Sequence, residues 1–513
     1  MNTSWRGNGI GRRQMLRRMG VAAGAAAIPS NALAQLGATP NTASQKHVLV
    51  IGGGMAGLTA AYELEKLGHR VTVIEAEASH FGGRVRTARF DDRNYGELGA
   101  MRIPAVHNLT RHYVKEMGLS LRPFVHSNPE AYYYARGTKL KIKDESQLNA
   151  LYSGLRGNER TMSPFDFWDS TVLKRLGRLT EAELEDLSST VLQTKAVRDL
   201  DRYSLEALLI EEGLSPDAIE MLGVAWAYET SLQTALSLLM REEHEEVWVR
   251  EFDEIVGGMD LLPRTLASRL RTPPITGAPV IRIEQDERTG KVSAIFQKNA
   301  EYQRIEGDMM VCTLPLGVMQ RIDFAPGLSA AKLRAVRQVT YDSSTKVLAQ
   351  TRRRFWETDE GIYGGGTYTD LISGITYYPS DNARAKDPRV SQGPGVFLAS
   401  YTWGMPARRL AALQPNERHR VTFQNLAKIH PQMAGPTMVD KATSWSWDLH
   451  PYSCGAFSWP SPGQHQSLYE HLIRPEGRIF FAGEHASLTT TWIQGAIESA
   501  LRAVQQIMQQ FPA

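Results

Sequence analysis

The stretch from His47 to Glu75, HVLVIGGGMAGLTAAYELEKLGHRVTVIE, restricts the possible folds of this chain more than any other. It reads as strand, glycine turn, helix, strand. His47 to Ile51 is a short β-branched run suited to a buried parallel strand. Gly52, Gly54 and Gly57 follow as G-x-G-x-x-G. The first allows a tight turn, the second lets the backbone approach a pyrophosphate, and the third lets helix and strand pack closely. Met55 and Ala56 open the helix, and Leu58, Ala61, Leu64 and Leu67 continue it at helical spacing. Its N-terminus offers free N–H groups and a positive dipole end to an anion. Gly68 stops the helix, Arg70 to Ile74 forms the next strand, and Glu75 and Ala76 follow its carboxyl end. Glu75 stands 21 positions after Gly54, placed to accept hydrogen bonds from both ribose hydroxyls of an adenosine. Because strand, turn, helix, strand and terminal acid agree, the segment is read as dinucleotide-binding. The plainer alternative is a glycine-rich turn in an unrelated α/β protein.

A chain of 513 residues accommodates two or three domains with substantial cores. A net charge of +3, with Arg and Lys spread along the chain, gives no case for nucleic acid or a membrane surface. Cys312 and Cys454 lie in no metal-binding pattern, so no metal site is expected. Residues 1–34 read as an export signal: paired Arg12 and Arg13, a mildly apolar run from Val21 to Ile28, and Ala32-Leu33-Ala34 before Gln35. The arginine pair favours the twin-arginine route, which carries folded proteins. The expected location is periplasmic or secreted, with no stable membrane anchor, and residues 35–45 read as a linker. A disordered basic tail is the alternative.

After Glu75 come Phe81-Gly82-Gly83-Arg84-Val85-Arg86-Thr87 and Glu97-Leu98-Gly99-Ala100-Met101-Arg102-Ile103-Pro104. A Gly-Gly pair lets the backbone pass close to a ligand, and Arg84 can neutralise a phosphate. The pairing of IGGGMAGL with GGRVRT resembles the flavin-containing amine oxidase superfamily. GAMRIP, with His107 and GLSLRPF after it, is similar to its L-amino-acid oxidase branch. The resemblance spans roughly residues 47–504. It implies non-covalent FAD, with the Gly99–Arg102 backbone beside the flavin ring and Arg102 clamping a substrate carboxylate. A planar guanidinium suits that task through two parallel N–H donors; a structural ion pair or a second phosphate contact is the alternative.

Residues 106–245 look mostly helical, with apolar positions at helical spacing in 109–117, 147–155, 181–194, 205–212, 216–226 and 232–243. His244, in REEHEEV, reads as a solvated histidine on an acidic helix. The segment FDEIVGGMDLLP at 252–263 again matches the family, which places the backbone of Val280 at the adenine. Val280–Ile283 and Lys291–Phe296 read as a hairpin, and Met309–Thr313 as a buried strand.

By the same resemblance Lys346 holds a water against the flavin, and burial would lower its pKa; a solvated strand-edge lysine is the plainer reading. Ile375-Thr376-Tyr377-Tyr378-Pro379 maps the carboxylate-binding tyrosine to Tyr378, and a one-residue error would give Tyr377 on the opposite face of a strand. Ala456 stands where monoamine oxidases carry their flavin-bonded cysteine, and Cys454 is two places too early. Gly483 and Glu484, ending the strand 479–482, are expected at the ribityl–pyrophosphate region, and Trp492 and Ile493 at the flavin. Trp492, with Phe457 or Trp447, would wall the substrate's α-carbon.

The expected fold is α/β: a Rossmann-like, GR2-type FAD-binding domain (47–104, 251–325 and 456–513), an interleaved mixed-sheet substrate domain (326–455), and a helical insertion with part of the substrate domain (105–250). The expected reaction is oxidative deamination of an L-α-amino acid by O2, giving a 2-oxo acid, ammonia and hydrogen peroxide, in a homodimer. Alternatives are an amine or polyamine oxidase, an amino-acid 2-monooxygenase and, distantly, a non-catalytic binding module.

Overall fold

The computed structural model describes residues 45–435 and 437–510. The expected leader, most of the expected linker and the last three residues lie outside them. β1 (His47–Ile51), α1 (Met55–Lys66) and β2 (Arg70–Ile74) form the expected strand–helix–strand unit. β1 is an inner strand of a four-stranded parallel sheet, between β2 and Met309–Cys312, with Ile479–Phe481 at the far edge. Val48 pairs with Val71 on one side and with Met309 on the other, and Met310 pairs with Ile479. Residues more than 400 positions apart in the chain thus share one sheet. Helices cover one face, and on the other Leu49, Ile51, Met310 and Cys312 share a core with Ile283, Val292, Ala294 and Phe296 of a second sheet, so both faces are buried. α1 packs against the last helix, Ile493–Gln510, where Ala496, Ala500 and Ala503 are buried in the same core as Leu58, Ala60, Ala61 and Leu64.

A second sheet runs in the order Glu301–Gly307, Lys291–Lys298, Val280–Asp286, Asp323–Ala325. The expected hairpin is there, turning at Gly290, and a third strand extends it.

The largest sheet has seven strands. Its order is Val439–Ser446, β3 (Ser344–Thr351), Gly395–Trp403, β4 (Ile375–Tyr378), Gly365–Thr369, Tyr132–Ala135 and Thr138–Lys141. Every residue of β3 is buried, Lys346 included, so β3 is not the solvated edge that an isolated lysine would suggest.

The two outer strands correct the helical reading of residues 106–245. Tyr132–Ala135 and Thr138–Lys141 form a hairpin, and Tyr133 and Tyr134 pair in parallel with Tyr368 and Thr369. Its two-residue turn has positive φ at both Arg136 (49°) and Gly137 (79°), the conformation that matches strand twist. Leu121–Phe124 is a strand as well. The helix expected over 181–194 stops at Asp186, whose carboxylate accepts the N–H groups of Gln193 and Thr194 and turns the chain back. Residues 142–151 form 3₁₀ turns in place of an α-helix over 147–155. Several of the remaining helices carry side-chain caps. Ser204 accepts from the Ala207 N–H, and Ser215, followed by Pro216, from that of Ala218. No described helix is long and apolar enough to cross a membrane.

Close packing at the first turn has a measurable consequence. A Cβ on Gly57 would lie 2.0 Å from the Gly52 carbonyl oxygen, whereas one on Gly54 meets nothing within 4 Å. Gly57→Ala is expected to lower the unfolding free energy by about 3 kcal/mol or more. Gly54→Ala should cost no more than about 1 kcal/mol, roughly the difference between these residues at an N-cap. Denaturant titration of both variants reads the difference.

Candidate active site

A cavity of about 390 Å³ opens where the three sheets meet. Its wall includes Gly52, Gly54, Met55, Ala56, Glu75, Ala76, Gly82, Gly83, Arg84 and Val280 in one part. Gly99, Ala100, Met101, Arg102, Lys346, Trp447, Phe457, Gly483, Glu484, Trp492 and Ile493 complete the correspondence with the expected site. Gly57 is not on the wall, since its role is to let α1 cross β1.

The nucleotide end follows from local structure. α1 begins at Gly54 with no side-chain cap and no acidic residue in its first turn, so its leading N–H groups and dipole are open to an anion. The empty space over Gly54, on the cavity wall, is room for a ligand rather than for protein. Glu75 Oε2 accepts from the Gly53 N–H at 2.6 Å and Oε1 from the Glu77 N–H at 2.7 Å. Each oxygen retains a second acceptor position suited to a ribose hydroxyl. These features fit the dinucleotide half of a flavin cofactor.

Arg84 and Glu484 meet each other. Arg84 Nη1 donates to Glu484 Oε1 at 2.8 Å and to the Ala456 carbonyl at 3.2 Å. Glu484 also accepts from the Ser458 hydroxyl at 2.7 Å and the Thr491 N–H at 3.0 Å. Burial would raise the Glu484 pKa, but the Arg84 guanidinium and these N–H donors hold it below the usual carboxylate value. Arg84 therefore comes to the wall with its charge already paired. Ala456 is on the wall and Cys454 is not; Cys454 and Cys312 are both free thiols.

At the other end Gly99 passes so close to the preceding chain that a Cβ there would fall 2.0 Å from the Arg84 carbonyl oxygen. Lys346 reaches this segment from β3. Its Nζ donates to the carbonyls of Gly99 at 2.6 Å and Glu97 at 3.2 Å, and lies 4.4 Å from the Tyr401 ring centre. Burial pulls the Lys346 pKa down to about 7, opposed by Glu97 and assisted by Arg102. Burial pushes Glu97 up to about 8, against the pull of the Met259 N–H and the Thr87 hydroxyl.

Arg102 is 8% exposed, and its Nε and Nη1 have no hydrogen-bond partner. Its Cζ stands 5.1 Å from the ring centre of Trp248, 5.5 Å from Phe252, 5.7 Å from Tyr377, and 6.0 Å from both Phe124 and Trp492. The structure thus sets a guanidinium in a box of five rings with two of its donor nitrogens unmatched.

Tyr378 is not part of that box. The alternation of β4 turns it to the opposite face, where its hydroxyl meets Thr367 Oγ1 at 2.8 Å and His430 Nε2 at 2.7 Å in a core with Trp356 and Phe397. Tyr377 is the tyrosine that faces Arg102, and its hydroxyl meets His126 Nε2 at 3.1 Å. The register of the motif was one residue off, and a strand converts one residue into a change of face.

The helix α2 (Leu236–His244) was also misread. It is not a solvated acidic helix: Leu236–Arg241 and Glu243 are buried, and Glu242 lies on the cavity wall. His244 is half-buried and lies off that wall. Sequence reasoning missed Glu242, Trp248, Tyr401, Trp403 and Trp459, all on the wall. A signal for Glu242 was present: Leu238, one helical turn earlier, places position 242 on the buried face. Nothing local marks Trp248 or Tyr401, which depend on how distant strands pack. Of the expected aromatic walls, Trp447 donates its Nε1–H to the Leu98 carbonyl at 3.0 Å, and Phe457 stands between Trp403 and Trp459.

Comparison with known proteins adds a family context. Residues 55–508 match the family described as flavin containing amine oxidoreductase. An L-amino-acid oxidase of the fish Siganus canaliculatus is 34% identical over 92% of this chain and 87% of its own. A putative L-amino-acid oxidase of Bacillus subtilis is 35% identical over 90% and 94%. Another L-amino-acid oxidase, of Gloydius halys, is 33% identical over 91% and 90%. The solved structure of a cyclohexylamine oxidase from Brevibacterium oxydans superposes with a TM-score of 0.71 at 20% identity, covering 91% of this chain and all of that one. It shares the fold.

Two measurements test the site geometry. Tyr378→Phe leaves His430 Nε2 without its partner, while Thr367 keeps the Tyr132 N–H and His430 Nδ1 keeps Glu360; it should lower stability by about 1–3 kcal/mol, while the affinity for a simple carboxylate such as benzoate, read by tryptophan fluorescence, stays unchanged. The second concerns Lys346, ordinarily near 10.5 and here about 7. Between those values the unfolded chain holds the proton that the folded chain has lost, so stability contributed at this position rises with pH. Between pH 8 and 10 the parent should gain stability over Lys346→Met by on the order of 1 kcal/mol per pH unit, measured by urea unfolding at each pH.

Proposed function

We propose, on the premise that this chain belongs to the flavin-containing amine oxidoreductase family, that it oxidises L-α-amino acids with O2 to 2-oxo acids, ammonia and hydrogen peroxide, using FAD held without a covalent bond. The observation that carries this reading is Arg102. A buried guanidinium with unmatched donors is costly unless a ligand matches it. A planar carboxylate at one open fork of the guanidinium, Nη2 with Nη1 or with Nε, would take two parallel charge-assisted bonds, and a simple amine would not.

The residues on the cavity wall have the right chemistry to hold the cofactor. The α1 start at Gly52, Gly54, Met55 and Ala56 would hold the pyrophosphate, Glu75 the adenosine ribose, and the backbone of Val280 the adenine. Gly82, Gly83, Gly99, Ala100, Met101, Gly483 and Ile493 offer backbone along the rest. With Ala456 in place of a thiol, no covalent attachment is available there. When bound, FAD supplies a two-electron acceptor for the α-carbon hydride.

The chain's own residues do the remaining work. Arg102 fixes the carboxylate, and Tyr377 stands beside it as the nearest phenol. Trp248 and Trp492 exclude water and restrict the approach of the α-carbon. Lys346 donates to the Gly99 and Glu97 carbonyls, approaches Met101 Sδ at 3.5 Å, and would orient one water molecule at the substrate end of the cavity. The substrate reacts as its free amine, so no separate general base is required. Export by the twin-arginine route, resting on Arg12, Arg13 and the Ala32–Ala34 site, belongs to the same proposal.

The test is a peroxide-release screen over amino acids and simple amines with the parent and Arg102→Met. Amino-acid turnover should appear in the parent, and kcat/KM should fall at least about 100-fold in the variant, since each hydrogen bond to a charged group is worth roughly 1.5–3 kcal/mol. Preference for carboxylate-free amines, unaffected by Arg102→Met, would overturn the reading in favour of an amine oxidase. An amide product with carbon dioxide would indicate a monooxygenase, and a colourless protein a binding module.

A further inference from the structure

Glu242 is a carboxylate on the cavity wall, and nothing so far uses it. Its Oε1 accepts from Trp492 Nε1–H at 3.0 Å and its Oε2 from Trp248 Nε1–H at 2.8 Å. Among the described residues no cationic side chain forms an ion pair or hydrogen bond with it, and the adjacent Arg241 turns away to the carbonyls of Leu187 and Leu488 and to His465. Each carboxylate oxygen accepts two bonds, so one acceptor position on each remains open. Holding the two indoles takes both carboxylate oxygens but only one acceptor position on each, so the group keeps capacity that this role does not use. A carboxylate kept in a dry wall gains most when a ligand brings the opposite charge.

The surroundings agree. The Trp248 and Trp492 ring centres lie 5.5 Å apart, and Glu242 bridges the N–H edges of the two rings. The same two rings border Arg102, at 5.1 and 6.0 Å from its Cζ. One indole separates the two charged groups. The cavity therefore presents a cation and, an indole's width away, an anion. Glu242 is not suited to the α-amine of the substrate, because it would favour the protonated form that cannot be oxidised.

We propose that Glu242 determines specificity by binding the side-chain cation of a basic L-amino acid, such as the guanidinium of arginine or the ammonium of lysine, while Arg102 holds the α-carboxylate. This rests on the amino-acid oxidase reading given above.

The test separates the two. Binding of pentanoate and of 5-guanidinopentanoate, which is arginine without its α-amine, is measured by calorimetry on the protein as isolated. The guanidino acid should bind at least about 30-fold more tightly in the parent, the size expected for a desolvated charge pair, and should lose that advantage in Glu242→Gln. The ratio of kcat/KM for L-arginine to that for L-norleucine should fall by a similar factor in Glu242→Gln, whatever the absolute rates. Equal affinity for the two acids in the parent, which needs no variant, would overturn the inference. So would a Glu242→Gln variant that lowers both substrates by one common factor, the mark of a group that only positions the indoles. If pentanoate binds Arg102→Met as well as the parent, the underlying reading fails. If it needs Arg102 and the guanidino group adds nothing, only the present inference fails.

Discussion

The ion pair between Arg84 and Glu484 is the joint on which the site is assembled. Its carboxylate is buried and its guanidinium half-buried, and it ties the second glycine turn to a strand end 400 positions later. Around it converge the Ala456 carbonyl, the Ser458 hydroxyl and the Thr491 N–H, so three separated stretches of chain share one charge pair. Its net contribution to stability over apolar side chains would be small, since desolvation offsets much of the attraction. Its effect is on specificity of arrangement: loss of either partner strands the other charge in a dry wall. The backbone that follows Thr491 carries Trp492, and the turn that carries Arg84 is pressed against Gly99. Both ends of the candidate substrate site are therefore referenced to this one contact.

Against that well-matched joint, the substrate end is conspicuously unmatched. Arg102 has unused donors, Glu242 unused acceptor positions, and Lys346 a pKa drawn down to about 7. A fold built for stability alone would pair or remove these groups. Their retention side by side in one cavity is the pattern expected where binding a ligand supplies the missing partners. The aromatic box has a matching role. It excludes water from Arg102, which strengthens any carboxylate contact, and it holds the guanidinium in one place before the ligand arrives.

What the sequence reveals about this protein divides by the range of the interactions involved. The unit from His47 to Glu75 was readable because turn, helix start and terminal acid are local requirements with few substitutes. Arg102 and Lys346 were reached through motif resemblance, and the fold adds what no motif states: the guanidinium's missing partners and the lysine's complete burial in β3. Tyr378 was misplaced by the parity of a strand, an error that a pattern of Y-Y-P cannot resolve. The charged run REEHEEV looked solvated because composition does not show that α2 is packed on nearly all sides. The hairpin at Tyr132–Lys141 was hidden in a helical neighbourhood, although its aromatic run and Arg-Gly turn were visible. Trp248 and Tyr401 belong to the site only because of tertiary packing, and no local rule would have found them.

The parallel sheet orders events during synthesis. Met309–Cys312 must insert beside β1, and Ile479–Phe481 can dock only against Met309–Cys312. The wall that carries Trp492 thus closes after nearly the whole polypeptide has left the ribosome. Until then the nucleotide cradle of the first strand–helix–strand unit stands open on one side. A nascent chain can offer the adenosine half of the pocket early, but retention of the whole cofactor must await the C-terminal segment. A polypeptide terminated short of Glu484 would lack both the partner of Arg84 and the wall that bears Trp492.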